Sequence, residues 1–172
     1  MSEEEKKTNI LYSKRVLLLS GLLGILIGVI LCMIVIFTLV PPMMIVTNES
    51  RLGFDETVAE LEKATEQNGW IISTVMDMNK SMAKHNVEFG PRVKLIKLCH
   101  PEHAKSVLST DRYISVMMPC TFSVWQGDDQ KVYISKMNMG LMAKLFGGNI
   151  ARIMGGKVAK DEEKILADIL KD

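Results

Sequence analysis

Residues 16–40 read VLLLSGLLGILIGVILCMIVIFTLV, a run of 25 residues without a charged side chain. Of these residues, 18 are Leu, Ile, Val or Phe. As a helix the run would span about 37 Å, which exceeds the bilayer's hydrocarbon core of about 30 Å. Inserting these side chains into lipid is favourable by roughly 5 kcal/mol in total. The run therefore predicts a transmembrane helix.

Two other interpretations of this run agree less well with its length and composition. A buried core helix of 25 residues would be expected to carry a polar face, and this one has none. A cleaved signal peptide has an apolar region of about 7–15 residues and then a small-residue cleavage site. Here the run continues into Leu39-Val40-Pro41-Pro42. We therefore expect an uncleaved anchor whose helix is stopped by the proline pair.

The charges that flank the run predict its orientation. Four cations precede it: Lys6, Lys7, Lys14 and Arg15. The first cation after it is Arg51. By the positive-inside rule, residues 1–15 form a cytoplasmic tail and residues 41–172 lie beyond the membrane. The sequence thus predicts a single-pass protein of the cell inner membrane, with the lipid bilayer as its first partner.

Two glycines inside the run indicate a helix-packing face. Gly24 and Gly28 are four residues apart and form a small-xxx-small pair, which lets two membrane helices approach closely. We expect this face to favour a homodimer. Cys32, in the middle of the run, is interpreted as a small apolar residue.

The remainder of the chain has the composition of one globular domain. Residues 41–53 are predicted to be a linker or a first strand, and residues 54–172 an extracytoplasmic domain. Together they carry 17 Lys or Arg and 17 Asp or Glu. Because their net charge is zero, they lack the basic surface that nucleic-acid binding requires. Three cysteines in the whole chain are too few for a disulfide-rich scaffold.

Strand and helix patterns alternate through this domain. Helices are predicted near residues 54–68 with Asp55 as N-cap, at 77–86, from Pro101, at 139–146, and from Lys160 to the end. Strands are predicted at residues 70–75, 91–99, 113–118, 121–125 and 131–136. The mixture predicts an α+β fold after the transmembrane helix: a two-layer domain of one mainly antiparallel sheet with packed helices.

The densest group of chemically active residues lies where the strand over 91–99 meets a helix. Cys99, His100 and His103 belong to the segment Leu98-Cys99-His100-Pro101-Glu102-His103, at a helix N-terminus that would favour a thiolate. Cys120 follows Pro119 at a junction between two predicted strands. If the two loops meet, they supply two thiols and two imidazoles.

The residues leave three interpretations of this group open. Cys99 and Cys120 can form a disulfide, which would contribute roughly 3 kcal/mol by closing a loop of this size. They can act as a thiol pair in redox or sulfur chemistry, although neither lies in a Cys-x-x-Cys motif. The cofactor is unknown, and a metal or haem is possible, with Cys99, His103 and Cys120 as candidate metal ligands.

No arrangement of residues predicts a hydrolase or a transferase, so an enzyme is not expected. Gly147-Gly148 and Gly155-Gly156 lack the preceding strand and the Lys-Ser/Thr pair of a phosphate-binding loop. We expect these glycines to lie at the ends of helices, or to give a mobile segment near the ligand site.

Three segments carry a resemblance to a known family. They are VKLIKLCHPEHA at 93–104, MPCTFSVW at 118–125 and KVYISKMN at 131–138. Over roughly residues 54–170 the chain resembles the bacterial and archaeal family called domain of unknown function 302, in its branch with two cysteines. The resemblance implies a compact α+β domain, usually dimeric. It also implies a link with sulfur metabolism or haem binding, but no catalytic residue.

We therefore expect a membrane-anchored extracytoplasmic module that binds a soft ligand or acts in thiol redox. Its site would consist of Cys99, His100, His103 and Cys120, and its partner would be a membrane-associated redox or sulfur-handling protein. The alternative is a structural or assembly subunit that dimerises at the membrane, with Cys99–Cys120 as a stabilising disulfide.

Overall fold

The structure, a computed structural model, describes residues 3–171 and the side chains of residues 16–171. The chain divides into two compact units, with the boundary between Pro42 and Met43. The remaining residues of the predicted tail and domain, 1–2 and 172, lie outside the described part.

The helix α1 covers Glu3–Met44, and all but its last two residues belong to the first unit. Its segment Val16–Met44 is long and apolar enough to cross a membrane, and none of that segment's most apolar window is buried. The prediction that Pro41 and Pro42 stop the helix is wrong, because it continues to Met44. A proline removes one backbone hydrogen bond, and so close to the helix end this does not prevent one more turn.

The predicted packing face of α1 is open in this single chain. Apart from the adjacent residues and the backbone of α1 itself, no atom lies within 4 Å of the position that a Cβ would take at Gly24 or Gly28. Pairing of two helices through this face stays a prediction.

The second unit contains one sheet of five strands in the order β1-β5-β4-β3-β2. All neighbouring strands run antiparallel. The strands are β1 (Ile45–Glu49), β2 (Ile71–Asp77), β3 (Val93–Cys99), β4 (Cys120–Gln126) and β5 (Val132–Met137). The first strand occupies part of residues 41–53. The predicted α+β fold with a mainly antiparallel sheet is confirmed.

Helices cover one face of this sheet. They are α2 (Phe54–Gln67), α3 (Met78–Ala83), α4 (Pro101–Leu108), a 3₁₀ helix (Arg112–Met117), α5 (Met139–Phe146), α6 (Gly148–Ile150), a π-helix (Ala151–Val158) and α7 (Ala159–Leu166). Strand alternation turns Ile96 and Leu98 of β3 toward the helices, where Leu61 of α2 and Ile165 of α7 are also buried. The core therefore lies between this face and the helices.

The opposite face of the sheet is half-exposed. Trp125 of β4 stacks on Tyr133 of β5, with ring centroids 4.7 Å apart. The Trp125 indole N–H donates to Ser135 Oγ at 2.9 Å, and Leu95 lies on the same face.

Three local predictions are wrong. Gly53, not Asp55, is the N-cap of α2, and Asp55 pairs instead with Arg92 at 2.6 Å. Residues 113–117 of the predicted strand at 113–118 belong instead to the 3₁₀ helix, because burial of Ile114 in the core overrides the strand propensity of the segment. The predicted C-terminal helix ends at Leu166, because Leu170 pairs with Ser50.

The segment between Gly148 and Val158 is helical, which the local sequence pattern does not predict. Gly155 and Gly156 do not punctuate a helix but lie inside the π-helix. A Cβ at Gly155 would lie 3.0 Å from the Ala143 Cβ of α5, which is closer than ordinary packing allows. The absence of a side chain at Gly155 therefore lets the two helices approach.

Candidate functional site

The four predicted site residues lie at one end of the sheet. Cys99 is the last residue of β3, and His100 is the N-cap of α4, followed by Pro101 at the first helical position. Cys120 is the first residue of β4 and pairs with Leu98 across the β3–β4 ladder. Antiparallel pairing thus brings the two predicted loops to the same edge of the domain.

The structure shows Cys99 and Cys120 without a disulfide between them, and the disulfide interpretation stays a prediction. Both cysteines are free. Cys120 pairs with Leu98, and Cys99 pairs with Ile71 of β2, so the two cysteines are offset by one residue in the ladder. Both cysteines nevertheless line the same cleft at this end of the sheet.

The two thiols also differ in environment. Cys99 is half-buried, whereas Cys120 is 8% exposed. Burial, with a smaller effect of the Glu162 carboxylate, raises the pKa of Cys120 to about 12. Cys120 therefore remains a neutral thiol at physiological pH and is a poor nucleophile.

The two histidines form a stacked pair against an indole ring. His100 and His103 are three residues apart at the start of α4, with ring centroids 3.9 Å apart and planes 16° from parallel. Trp70, just before β2, meets both rings edge-on at 5.6 and 5.9 Å. This packing restricts the orientation of both imidazoles.

A carboxylate from α7 positions the second histidine. Asp161 Oδ2 lies 3.1 Å from His103 Nε2. Burial opposes ionisation of Asp161, but the His103 hydrogen bond, the Trp70 N–H and Lys164 together lower its pKa. Because an ionised carboxylate only accepts hydrogen bonds, we assign Nε2 of His103 as the donor.

His100 lacks such a partner. Burial, followed by the charge of His103, lowers the pKa of His100, so its imidazole is neutral near pH 7. Its Nδ1 is buried without a hydrogen-bond partner among the described residues, as is Nε1 of Trp70. The Trp70 N–H is still near enough to Asp161 to influence it, so His100 Nδ1 is the more isolated of the two atoms.

A narrow cleft of about 20 Å³ lies among these residues. Its walls include Trp70, His100, His103, Cys99, Cys120, Met118 and Met154. A cavity needs about 10–15 Å³ to hold one water molecule. The cleft therefore has room for one small molecule.

The predicted metal set is not assembled. Across residues 16–171, whose side chains the structure describes, no group of three or more His, Cys, Asp or Glu is placed to hold a metal ion. Cys120 is buried beside Leu98 in the sheet, while His103 is bound to Asp161. Haem does not fit either, because the cleft is far smaller than the several hundred Å³ of cofactor pockets.

The sequence alone did not point to Trp70, Asp161 or Met154. Trp70 follows the Asn68-Gly69 helix end, and its local pattern predicts a strand, although a lone tryptophan there is a signal for a buried contact. Asp161 has no local signal, because it lies 58 residues from His103 in the chain.

A buried ion pair lies near Cys120. Lys136 Nζ of β5 is 2.7 Å from Glu162 Oε2 of α7, and Glu162 is 2% exposed. Burial raises the pKa of Glu162, although the ammonium of Lys136 opposes this effect. The pair joins α7, which carries Asp161, to the sheet.

Comparisons with known proteins agree with this fold. The structure is similar to the crystal structure of an uncharacterized conserved protein DUF302 from Bacillus stearothermophilus, with a TM-score of 0.66 and 17% identity. The match covers 73% of this chain and 98% of that one, and at this identity it shows the fold alone. A comparison with curated proteins found no match.

The family model described as "Domain of unknown function DUF302" matches residues 46–171. The match begins earlier than the resemblance in the sequence suggested and includes β1. Membership of a two-cysteine branch stays a prediction. The chain belongs to the DUF302 family.

Proposed function

We propose that this protein is a membrane-anchored module that binds one small sulfur species, hydrogen sulfide, in the cleft beside His100. The observation that carries the proposal is the buried, unpartnered Nδ1 of His100, a residue that lines a cleft of about 20 Å³. A buried nitrogen of this kind is costly unless a ligand or solvent molecule bonds to it.

The lining of the cleft favours a soft ligand over water. A buried water typically makes about three hydrogen bonds. Here the polar side-chain atoms without a partner, among the described residues, are His100 Nδ1 and Trp70 Nε1, and most of the remaining wall is apolar or sulfur-bearing. Sulfide is weakly hydrated and polarizable, and it would contact Cys120, Met118 and Met154 favourably. Neutral His100 can accept its S–H.

The state of the thiols supports binding over thiol redox. Exchange reactions require a thiolate, and the pKa of Cys120, at about 12, keeps that thiol protonated. Of the two thiols at the site, Cys99 alone has the exposure for such chemistry.

Anchoring belongs to the same proposal. Residues 16–44 hold the domain at the cell inner membrane, with the N-terminus in the cytoplasm and the domain outside it. The four cations before residue 16 support this orientation. Because neutral hydrogen sulfide is soluble in lipid, a module at this place would meet it as it leaves the bilayer, beside a membrane-associated sulfur-handling partner.

The test is a titration of the full-length protein, in detergent, with sodium sulfide under anaerobic conditions. In a Trp125→Phe background, Trp70 is the one fluorescent indole and reports on the cleft. We expect a saturable change in emission that is lost on His100→Phe, which keeps an aromatic ring but removes the nitrogen. His85→Phe, at an exposed histidine, is the matched control and leaves the change intact.

A linear response to sulfide, or a response that survives His100→Phe, would contradict the proposal. A cuprous-ion titration of the same variants separates the metal interpretation. Tight cuprous binding without any sulfide response would replace sulfide by the metal.

A second candidate is an assembly subunit. The half-exposed sheet face with Leu95, Trp125 and Tyr133 supports it, because such a face can bury itself against a second copy. It predicts a dimer in light scattering that Leu95→Glu converts to a monomer, with sulfide binding unaffected.

A further inference from the structure

Exposed apolar side chains gather at the end of the domain where the chain leaves α1. We name this group the end surface, and it consists of Ile45, Tyr113, Val116, Met137, Leu145 and Phe146. Val116 is 87% exposed and Leu145 is 70% exposed. Large side chains this exposed, when grouped on one surface, mark a site of contact with a partner or a membrane.

The members of the end surface are linked by contacts. Ile45 of β1 pairs with Met137 of β5. Both residues line, together with Val116, an open cleft of about 350 Å³. Tyr113 lies three residues before Val116 in the 3₁₀ helix, and its ring centroid is 6.5 Å from that of Phe146. Strand ends, the 3₁₀ helix and α5 thus form one surface.

The chain itself places lipid next to this surface. The apolar helix α1 ends at Met44, and β1 begins at Ile45 without an intervening residue. Asn138 fixes the backbone at this junction by two hydrogen bonds. Its backbone N–H donates to Met44 O at 2.8 Å, and its side-chain amide donates to Met43 O at 3.0 Å. With residues 16–44 in a bilayer, Ile45 and its neighbours cannot lie far from the headgroups.

The charges near the end surface suit the same partner. The one charged residue of α5 is Lys144, and the one in the 3₁₀ helix is Arg112. Both are exposed. The nearest acid in the chain, Asp111, accepts a hydrogen bond from Thr110 at 2.6 Å. Aromatic rings combined with cations are typical of surfaces that lie in the membrane interface.

We propose that the end surface lies in the interfacial region of the bilayer, so that the domain rests on the membrane rather than projecting from it. This inference depends on the anchoring in the proposed function but not on sulfide binding. Cys120 lines both the open cleft of the end surface and the cleft beside His100. Docking would therefore bring the ligand cleft to the lipid.

The experiment uses the full-length protein in vesicles made of equal parts phosphatidylcholine and phosphatidylglycerol. The photoreactive residue p-benzoylphenylalanine replaces Tyr113 in one sample and Phe89 in the other. Both positions are exposed aromatic residues, but Phe89 precedes β3 and so lies toward the opposite end of the sheet. We expect about tenfold more lipid adduct from position 113, measured by mass spectrometry.

Two charge variants sharpen the result. Val116→Glu places a carboxylate in the end surface and is expected to reduce the lipid adduct at position 113 several-fold. Val87→Glu, at an exposed valine in the segment before β3, leaves it unchanged. Because both side chains are exposed, neither change should unfold the domain.

Equal adduct yields at positions 113 and 89 would overturn the proposal. So would a crosslink from position 113 to a second copy of the chain in place of lipid. Sulfide titration of the same samples is independent: loss of the adduct with intact sulfide binding rejects docking alone, and the reverse rejects the sulfide site alone.

Discussion

His100 is the residue on which the proposed site depends, and its half-buried ring stacks on His103 and meets Trp70 edge-on. Burial lowers the pKa of His100 from its ordinary value of 6.5, so the folded state binds fewer protons there than the unfolded state does. Its contribution to stability is therefore lost as pH falls from above 6.5 toward the lower pKa of the folded state.

The pH dependence of unfolding tests this assignment. The free energy of unfolding should fall on acidification below pH 6.5, and His100→Gln should flatten that part of the curve. Urea denaturation followed by tryptophan emission measures it, with His85→Gln as the exposed control. The charges of Asp161 and Glu102 raise the pKa of His100 and so oppose the effect of burial. Asp161→Asn should therefore make the free energy of unfolding fall more steeply on acidification. If the free energy of unfolding of His100→Gln fell with pH as steeply as that of the unmodified protein, a lowered pKa at His100 would be rejected.

The two cysteines of the domain should differ sharply in reactivity. Cys99 is half-buried, whereas burial raises the pKa of Cys120 to about 12. We expect Cys99 to react with a water-soluble maleimide at least about a hundredfold faster than Cys120 in the folded protein. Mass spectrometry of peptides from Cys99→Ser and Cys120→Ser variants measures both rates. Similar rates, or an oxidised Cys99–Cys120 pair in untreated protein, would contradict this expectation.

At the scale of elements, the contact between α5 and the π-helix is a close approach that a glycine permits. Ile153, Met154 and Val158 of that π-helix line the His100 cleft. The π-helix therefore connects the packing of α5 to the shape of the site, and π-helical turns are often found at functional sites.

Gly155→Val tests this contact. The new side chain would overlap Ala143, whose Cβ lies 3.0 Å from the position of a Cβ at residue 155. We expect a loss of about 1–3 kcal/mol in the free energy of unfolding and weaker sulfide binding. Gly156→Val is the control, since no atom lies within 4 Å of a Cβ there. Equal effects of the two substitutions in denaturant melts would show that the helices do not depend on this approach.

At the scale of the whole molecule, the orientation across the membrane decides where any ligand is met. A carboxyl-terminal fusion to alkaline phosphatase should be active, because that enzyme folds outside the cytoplasm. The matching fusion to a fluorescent protein that folds only in the cytoplasm should be dark. Changing Lys14 and Arg15 to Glu should lower phosphatase activity by weakening the positive flank. Fluorescence without phosphatase activity would show that the domain lies in the cytoplasm, contrary to this prediction.

Local patterns in the sequence were enough to predict most of the helices and strands. The apolar run, the helix at residues 139–146 and the strands around Ile96 and Val124 follow from side-chain periodicity, which a segment carries by itself. The segments at 113–118 and 148–158 could not be assigned in this way, because burial of Ile114 and the contact of Gly155 with Ala143 decide their conformation.

At the candidate site, too, some features follow from the local sequence and others from tertiary contacts. Local spacing is enough to place His100 and His103 together at the start of a helix, because residues three apart lie on one helix face. Tertiary structure alone decided that Cys120 faces Leu98, that Trp70 packs against both imidazoles, and that Asp161 bonds to His103. These contacts join residues distant in the chain, and strand register and helix packing set them through burial of the shared core, which no single segment encodes.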